Sequence, residues 1–140
     1  MSATQREEFL AGVHVGIVSI QEPGRGPLAV PIWYDYKSGG ELWFLTDKGT
    51  RKERLLSENV RISLCAQDEN PPYRYVTIEG PVVSIEPADL ERDARPMARR
   101  YLGIEGGDHY TDTEAAPGID DAILVKVRPE HWLSADYDDE

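Results

Sequence analysis

Short apolar runs, each closed by glycine, proline or an acidic turn, constrain the fold of this chain more than any other feature. Leu28 to Tyr36 shows the pattern best. Leu28, Val30, Ile32, Tyr34 and Tyr36 fall on one face of a strand, and Ala29, Pro31, Trp33 and Asp35 on the other. Five further runs read as strands: Val13 to Ile20, Glu41 to Thr46, Val60 to Gln67, Tyr73 to Glu86 and Ala122 to Val127. The first of these is nearly continuous in Val and Ile, so it is expected to be covered on both faces. Gly80-Pro81 marks a bulge or bend inside the longest run. Pro31 cannot donate to a ladder, which puts its strand at an edge, a bulge or an opening, where backbone at Pro31 to Trp33 could meet a ligand. Six strands with short connections predict a mainly β protein, a small antiparallel barrel with short helices filling its openings.

The helical signals are fewer. Thr4 and Glu7 stand at capping-box spacing and predict a helix from Thr4 to Leu10 that buries Phe9 and Leu10. Pro87 to Leu102 carries Leu90, Ala94, Met97 and Tyr101 at core spacing, with Pro96 dividing it into two pieces or kinking it. Gly103 to Gly118 is polar and glycine-containing and reads as a long loop. Trp132 follows the Pro129 turn and is expected to pack back on the body. Asp136 to Glu140 reads as a frayed acidic tail.

Between the third and fourth strands lies the stretch with the most chemistry. After Leu42 to Leu45 the chain breaks at Asp47-Lys48-Gly49, and Thr50 and Glu53 then fit a capping box that opens a helix from Arg51 to about Glu58. Arg51 and Lys52 fall in its first turn, where the free amides already make the environment positive. An anion would relieve that conflict, so Thr50, Arg51 and Lys52 read as a phosphate-competent helix start; equally, both cations could point into water.

Composition narrows the function. The chain has 140 residues, which predicts one domain over 1–140. A net charge of −11 argues against general nucleic-acid or anionic-membrane binding and makes the Arg51, Lys52, Arg54 cluster conspicuous. The single cysteine, Cys65, sits in an apolar run and reads as an inert core thiol; no intrachain disulfide is possible. His14, a lone strand histidine, reads as structural. The polar start, Met1 to Glu8, has no signal-peptide pattern, so a cytoplasmic protein is expected. His109 with Asp108 and Asp112 offers only one imidazole, and no metal site is predicted. Neither a G-x-G-x-x-G nor a Walker sequence is present. What remains is the phosphate-competent helix start beside strands carrying Trp33, Tyr34, Tyr36, Trp43, Phe44, Tyr73 and Tyr75. That combination suits a planar ligand with an anionic tail, although core and cross-strand pairing is the commoner fate of any one aromatic.

Five segments recur in a single order and spacing: Pro31-Ile32-Trp33-Tyr34, Leu42-Trp43-Phe44-Leu45-Thr46, Thr50-Arg51-Lys52-Glu53-Arg54-Leu55-Leu56, Asn59-Val60-Arg61-Ile62-Ser63-Leu64 and Pro72-Tyr73-Arg74-Tyr75-Val76-Thr77-Ile78-Glu79-Gly80. Together they resemble the pyridoxamine-phosphate-oxidase-like split barrels, and among these the flavin/deazaflavin oxidoreductases of the B group. The resemblance spans Leu10 to Glu86 closely and the rest loosely. It implies a homodimer of split β-barrels with cofactor sites at the subunit interface, holding the deazaflavin coenzyme F420 or, alternatively, FMN. It assigns Lys52 to the phosphate, with Arg51, Thr50 and Thr46 beside it, and lays Pro31, Ile32, Trp33 and Tyr34 along the ring. Gln67, Tyr73, Arg74 and Tyr75 would reach the cofactor of the partner subunit, and Trp132 would close the ring pocket. The implied activity is hydride transfer to an unsaturated small molecule, with water, Tyr34 or a partner tyrosine as proton donor. No Arg-Leu-x-x-Arg segment stands near the C-terminus, so vitamin B6 oxidation is not implied. F420 adds a polyglutamate tail to its phosphate, which an extended basic track of Arg51, Lys52, Arg54, Arg25 and Arg74 would suit. A non-catalytic cofactor binder and a ligand-free structural domain are the readings from other classes.

Overall fold

Trp33 sets the architecture. It is the single residue between β2 (Leu28–Ile32) and β3 (Tyr34–Tyr36), yet these strands end opposite sides of the sheet path β2-β1-β5-β6-β7-β4-β3. One residue spans only about 3.3–3.6 Å. The two edges can therefore meet at Trp33 only if the sheet curls on itself. The computed structural model, which describes residues 1–137, shows that curled, antiparallel, mainly β split barrel, with β1 (Gly16–Ile20), β4 (Leu42–Asp47), β5 (Arg61–Asp68), β6 (Arg74–Pro87) and β7 (Ala122–Val127) completing the path.

The long β6 belongs to both halves. Its first part pairs with β5 and with β8 (His131–Asp136), and its second part with β7. The register shifts between Val82 and Ser84, just past the predicted Gly80-Pro81 bend. Gly80 is required there, because a Cβ would lie 1.8 Å from the Arg128 carbonyl oxygen where β7 passes into β8. The core lies inside the curl. Even-numbered residues of β1, β5 and the first part of β6 (Val18, Ile20, Leu64, Ile78) meet Tyr34, Phe44 and Leu42, all fully buried.

Several expectations need correcting. The run Leu28 to Tyr36 is two strands, because Trp33 leaves one edge and enters the other, and Trp132 lies on an eighth strand that the alternation of His131–Asp136 was too weak to announce. Val13 to Ile20 is covered on one face only: Val13, Val15 and Ile17 are exposed, since no second layer lies over this half of the sheet. The first helix, α1 (Ala3–Ala11), is capped two residues earlier than predicted, by Ser2 with Gln5 in a reciprocal capping box, while Phe9 and Leu10 are buried as expected. The helix at Arg51 is a single turn, α2 (Arg51–Arg54), capped by Thr50. Pro96 does divide a helical region: a π-helical stretch, Leu90–Ala94, precedes α3 (Arg95–Tyr110).

The largest correction concerns Gly103 to Gly118, which is helical rather than a loop. Gly103 (φ 79°) turns α3 into two pieces, 95–102 and 104–110, and π and 3-10 turns continue to Asp121. The two pieces cross so closely that a Cβ on Gly107 would sit 2.5 Å from the Arg99 Cα. Arg95 and Arg99 on the first piece bond Asp108 on the second at 2.9 and 2.8 Å, and Arg95 also reaches Asp112 at 2.7 Å. These two guanidinium groups hold the Asp108 carboxyl down to about 2. Asp108 and Asp112 thus serve as helix clamps, and no metal-holding group occurs among the described residues. Asp136 ends β8 instead of fraying, and the Tyr137 amide bonds the Tyr73 carbonyl at 3.0 Å; residues 138–140 of the expected tail lie outside the described residues. No helix among the described residues is long and apolar enough to cross a membrane.

Candidate functional site

The barrel is split because its two edges part after Trp33. β3 pairs with β4 only from Leu42 to Phe44, so Leu45, Thr46 and Asp47 have no strand partner on that side. β2 is the opposite edge, pairing with β1 alone. A wedge opens between them, and the helical segment 90–121 roofs it. The resulting cleft holds about 310 Å³ and is lined by Pro31, Ile32, Trp33, Leu45, Thr46, Asp47, Lys52 and Ala122 from the sheet side and by Ala94, Met97, Ala98, Tyr110, Glu114, Ala115, Gly118 and Ile119 from the roof. That is the low end of the range of about 300–1,000 Å³ typical of ligand clefts.

The narrow end at Trp33 is held by α3. The Tyr101 hydroxyl accepts from the Tyr34 amide at 3.0 Å and lies 2.6 Å from the His14 carbonyl and 3.0 Å from that of Tyr34. The Arg100 guanidinium donates to the carbonyls of Tyr34, Ala11 and Gly12 at 2.8–3.1 Å and lies 3.2 Å from the Asp35 carboxylate. Backbone that a closed ladder would have paired is satisfied this way instead. Tyr101 also stacks on the Trp33 indole (4.9 Å between centroids, 7° between planes), and Tyr110 leans against it at 5.3 Å. Trp33 is therefore a fixed wall of the cleft.

Toward the wide end stands Lys52. Its side chain is half-buried and makes no hydrogen bond or ion pair among the described residues. Burial lowers its pKa, and the nearby Asp47 charge offsets that only in part. An anion bound in the cleft would remove the conflict.

Of the residues singled out from sequence, the fold brings Pro31, Ile32, Trp33, Thr46 and Lys52 into one cleft. Thr50 and Arg51 flank it without lining it. The Thr50 hydroxyl accepts from the Glu53 amide and gives its proton to the Asp47 carbonyl, which leaves none for a ligand. Arg51 is held by Glu22 from the β1–β2 turn, with Nε 3.0 Å from Oε2 and Nη2 bonded to Oε1. Tyr34 is placed differently from expectation. Its side chain is fully buried in the barrel and donates to the Leu10 carbonyl at 2.7 Å, and burial pushes the phenol's pKa up. It is a core residue and cannot serve as the proton donor. Trp132 also lies away from the cleft, edge-on to Tyr36 and under Arg6. His14 is structural as expected, stacked on Phe9 and bonded to its carbonyl.

Gln67, Tyr73, Arg74 and Tyr75 lie elsewhere in the same chain, around the β5–β6 turn; Arg74 sits over the Phe9 ring and 3.5 Å from Asp68. Gln67 and Tyr75 are register partners on the outward face of the sheet half that contains β1 and β2. Across that face one row runs Pro31, Ile17, Cys65, Thr77, Leu133, so Cys65 packs on the outer, half-exposed side and not in the core.

The roof residues were missed by sequence reasoning. A usable signal was present: Arg95 and Arg99, four apart, match Asp108 and Asp112, four apart, which is the charge pattern of two packed helical stretches and not of a loop.

Comparisons with known proteins agree with this geometry. The sequence profile described as pyridoxamine 5'-phosphate oxidase matches residues 3–135. A solved F420 reductase shares 24% identity over 91% of this chain and 94% of its own, with a TM-score of 0.75. A conserved hypothetical protein of Mycobacterium tuberculosis shares 21% over 98% and 86%, also at 0.75. A FAD-binding protein of Mycobacterium smegmatis shares 17% over 96% of both chains, at 0.62. At these identities the likeness to the solved structures is one of fold. No curated protein gives a significant match.

Proposed function

The chain belongs to the pyridoxamine 5'-phosphate oxidase family, and on that premise we propose that it is an oxidoreductase that holds coenzyme F420 in the cleft beside Trp33. The observation that carries this reading is the meeting of an edge-strand backbone, Pro31 to Trp33, with a half-buried, unpaired Lys52 in one apolar-roofed wedge. When bound, F420 supplies hydride transfer between its ring and an unsaturated acceptor. The residues of the chain do the rest. Lys52 would neutralise the phosphate, and free edge groups of β2 would hydrogen-bond the ring. Trp33, fixed by Tyr101 and Tyr110, would wall the ring, and Met97, Ala98 and Ile119 would keep water from the roof side. The F420 reductase among the structural relatives supports the choice of deazaflavin.

The single-chain cleft is small for a whole cofactor, and we infer that a second copy completes it. The outward face carrying Ile17, Leu133, Val13 and Val15 is apolar and exposed, and it continues to Pro31 at the cleft's edge. Two copies packed on this face would bring Gln67 and Tyr75 of each toward the other's cleft.

FMN is the second reading, and one observation favours it. The basic track that a polyglutamate tail would follow is already engaged: Arg51 by Glu22, Arg54 by the Gly49 carbonyl at 2.8 Å and Arg74 by Asp68. Parallel fluorescence titrations of F420 and FMN on wild type and Lys52→Ala decide between them. The expected result is F420 binding that Lys52→Ala weakens by about tenfold or more, the worth of one charge-assisted contact. Preferred FMN binding would move the protein to the flavin reading, and binding of neither would remove the cofactor assignment.

A further inference from the structure

The wide end of the wedge is bridged by a side-chain pair whose partners come from opposite edges of the sheet. Glu22 lies in the turn that leads into β2, and Arg51 follows the end of β4. The Glu22 carboxylate is the better covered partner, with its side chain 16% exposed against 42% for Arg51. Both of its oxygens bond Arg51, and Arg25 stands 3.8 Å away. The bidentate geometry occupies the guanidinium fork that a ligand carboxylate or phosphate would otherwise use. Lys52, the neighbour in sequence, faces into the cleft and is left free.

We propose that Glu22 is a specificity-determining residue: it masks Arg51 and so weakens the site's hold on any carboxylates that a ligand carries beyond the phosphate Lys52 neutralises. This rests on the cofactor reading above and extends it. A ligand with one phosphate meets Lys52 and leaves the Glu22–Arg51 pair intact. A ligand with further carboxylates beyond its phosphate must leave through the wide end. There it meets the Glu22 charge, on a protein whose net charge of −11 already repels it, and it gains Arg51 only by displacing Glu22.

The test compares wild type, Glu22→Gln and Glu22→Gln/Arg51→Gln by titration with F420 and FMN. Glu22→Gln is expected to tighten F420 by about two- to fivefold, the scale of one exposed charge pair, and to leave FMN within experimental error of wild type. Its F420 affinity should also fall more steeply with salt than that of wild type. Removing Arg51 as well should cancel the gain. An unchanged F420 affinity in Glu22→Gln, an equal gain for FMN, or a gain that survives loss of Arg51 would each overturn the proposal. A readout independent of either cofactor separates the two ideas. The Arg51 Nε–H resonance is followed during titration with inorganic pyrophosphate, and it should respond at several-fold lower concentration in Glu22→Gln than in wild type. If neither cofactor binds but this difference is seen, the masking stands and the cofactor reading falls. Identical responses in the two proteins overturn the masking whichever cofactor binds.

Discussion

The two ends of the wedge are closed by opposite kinds of chemistry. At Trp33, Arg100 and Tyr101 satisfy part-buried main-chain groups of two segments, 11–14 and Tyr34, with the Arg100 side chain 17% exposed. At the far end, Arg51 and Glu22 form a side-chain pair that water reaches on the arginine side. Breaking the first closure leaves several partly buried carbonyls without a donor. The second can open at little cost, because water and salt replace what each partner loses. The cleft therefore has one rigid end, suited to fixing a ring, and one adjustable end, suited to deciding what passes.

Arg100→Met should test the rigid end with the largest effect. The methionine keeps much of the side-chain volume but leaves the Tyr34, Ala11 and Gly12 carbonyls without the guanidinium and the Asp35 carboxylate with only the Tyr36 amide. A loss of about 3–5 kcal/mol in urea unfolding is expected, the cost of removing one partner from a buried charged cluster. A loss below about 1 kcal/mol would place this end in the same class as the exposed one. Tyr101→Phe is the milder probe. It keeps the stack on Trp33 and removes only the hydroxyl, so the Tyr34 amide loses its acceptor. About 1–3 kcal/mol should be lost, and cofactor affinity should fall in parallel as the Pro31 to Trp33 backbone loosens. An unaltered affinity would detach the hub from the site.

How much of this the sequence shows depends on the range of the contact that decides it. Strand faces were legible because they follow a period of two, and Leu28 to Tyr36 displays its buried side correctly even though it is two strands. Pro31 announced an edge because a missing amide is a local fact. Lys52 was legible for a similar reason, since Thr50 caps its turn within three residues. What stayed hidden was decided across the barrel. The fate of Arg51 depends on Glu22, 29 residues away, and that of Tyr34 on Leu10 and Tyr101. The roof was misread because glycine at 103, 106 and 107 looks like loop composition. In the structure Gly103 supplies a turn and Gly107 a close helix crossing, both of which depend on a neighbour that the local pattern does not name.

The adjustable end yields the smallest expected effect and the sharpest contrast. Glu22→Gln should leave the urea midpoint within experimental error of wild type. Arg51 is exposed enough for water to replace the carboxylate, and glutamine keeps one acceptor for the guanidinium. Measured beside Arg100→Met, this near-null in stability gives the change in F420 affinity a direct meaning: the ligand is competing for Arg51 in an intact fold. A stability loss comparable to that of Tyr101→Phe would mean instead that the pair is a structural strap between the β1–β2 turn and α2. The wedge would then be rigid at both ends, and selection at its mouth would have to come from Lys52 and the roof alone.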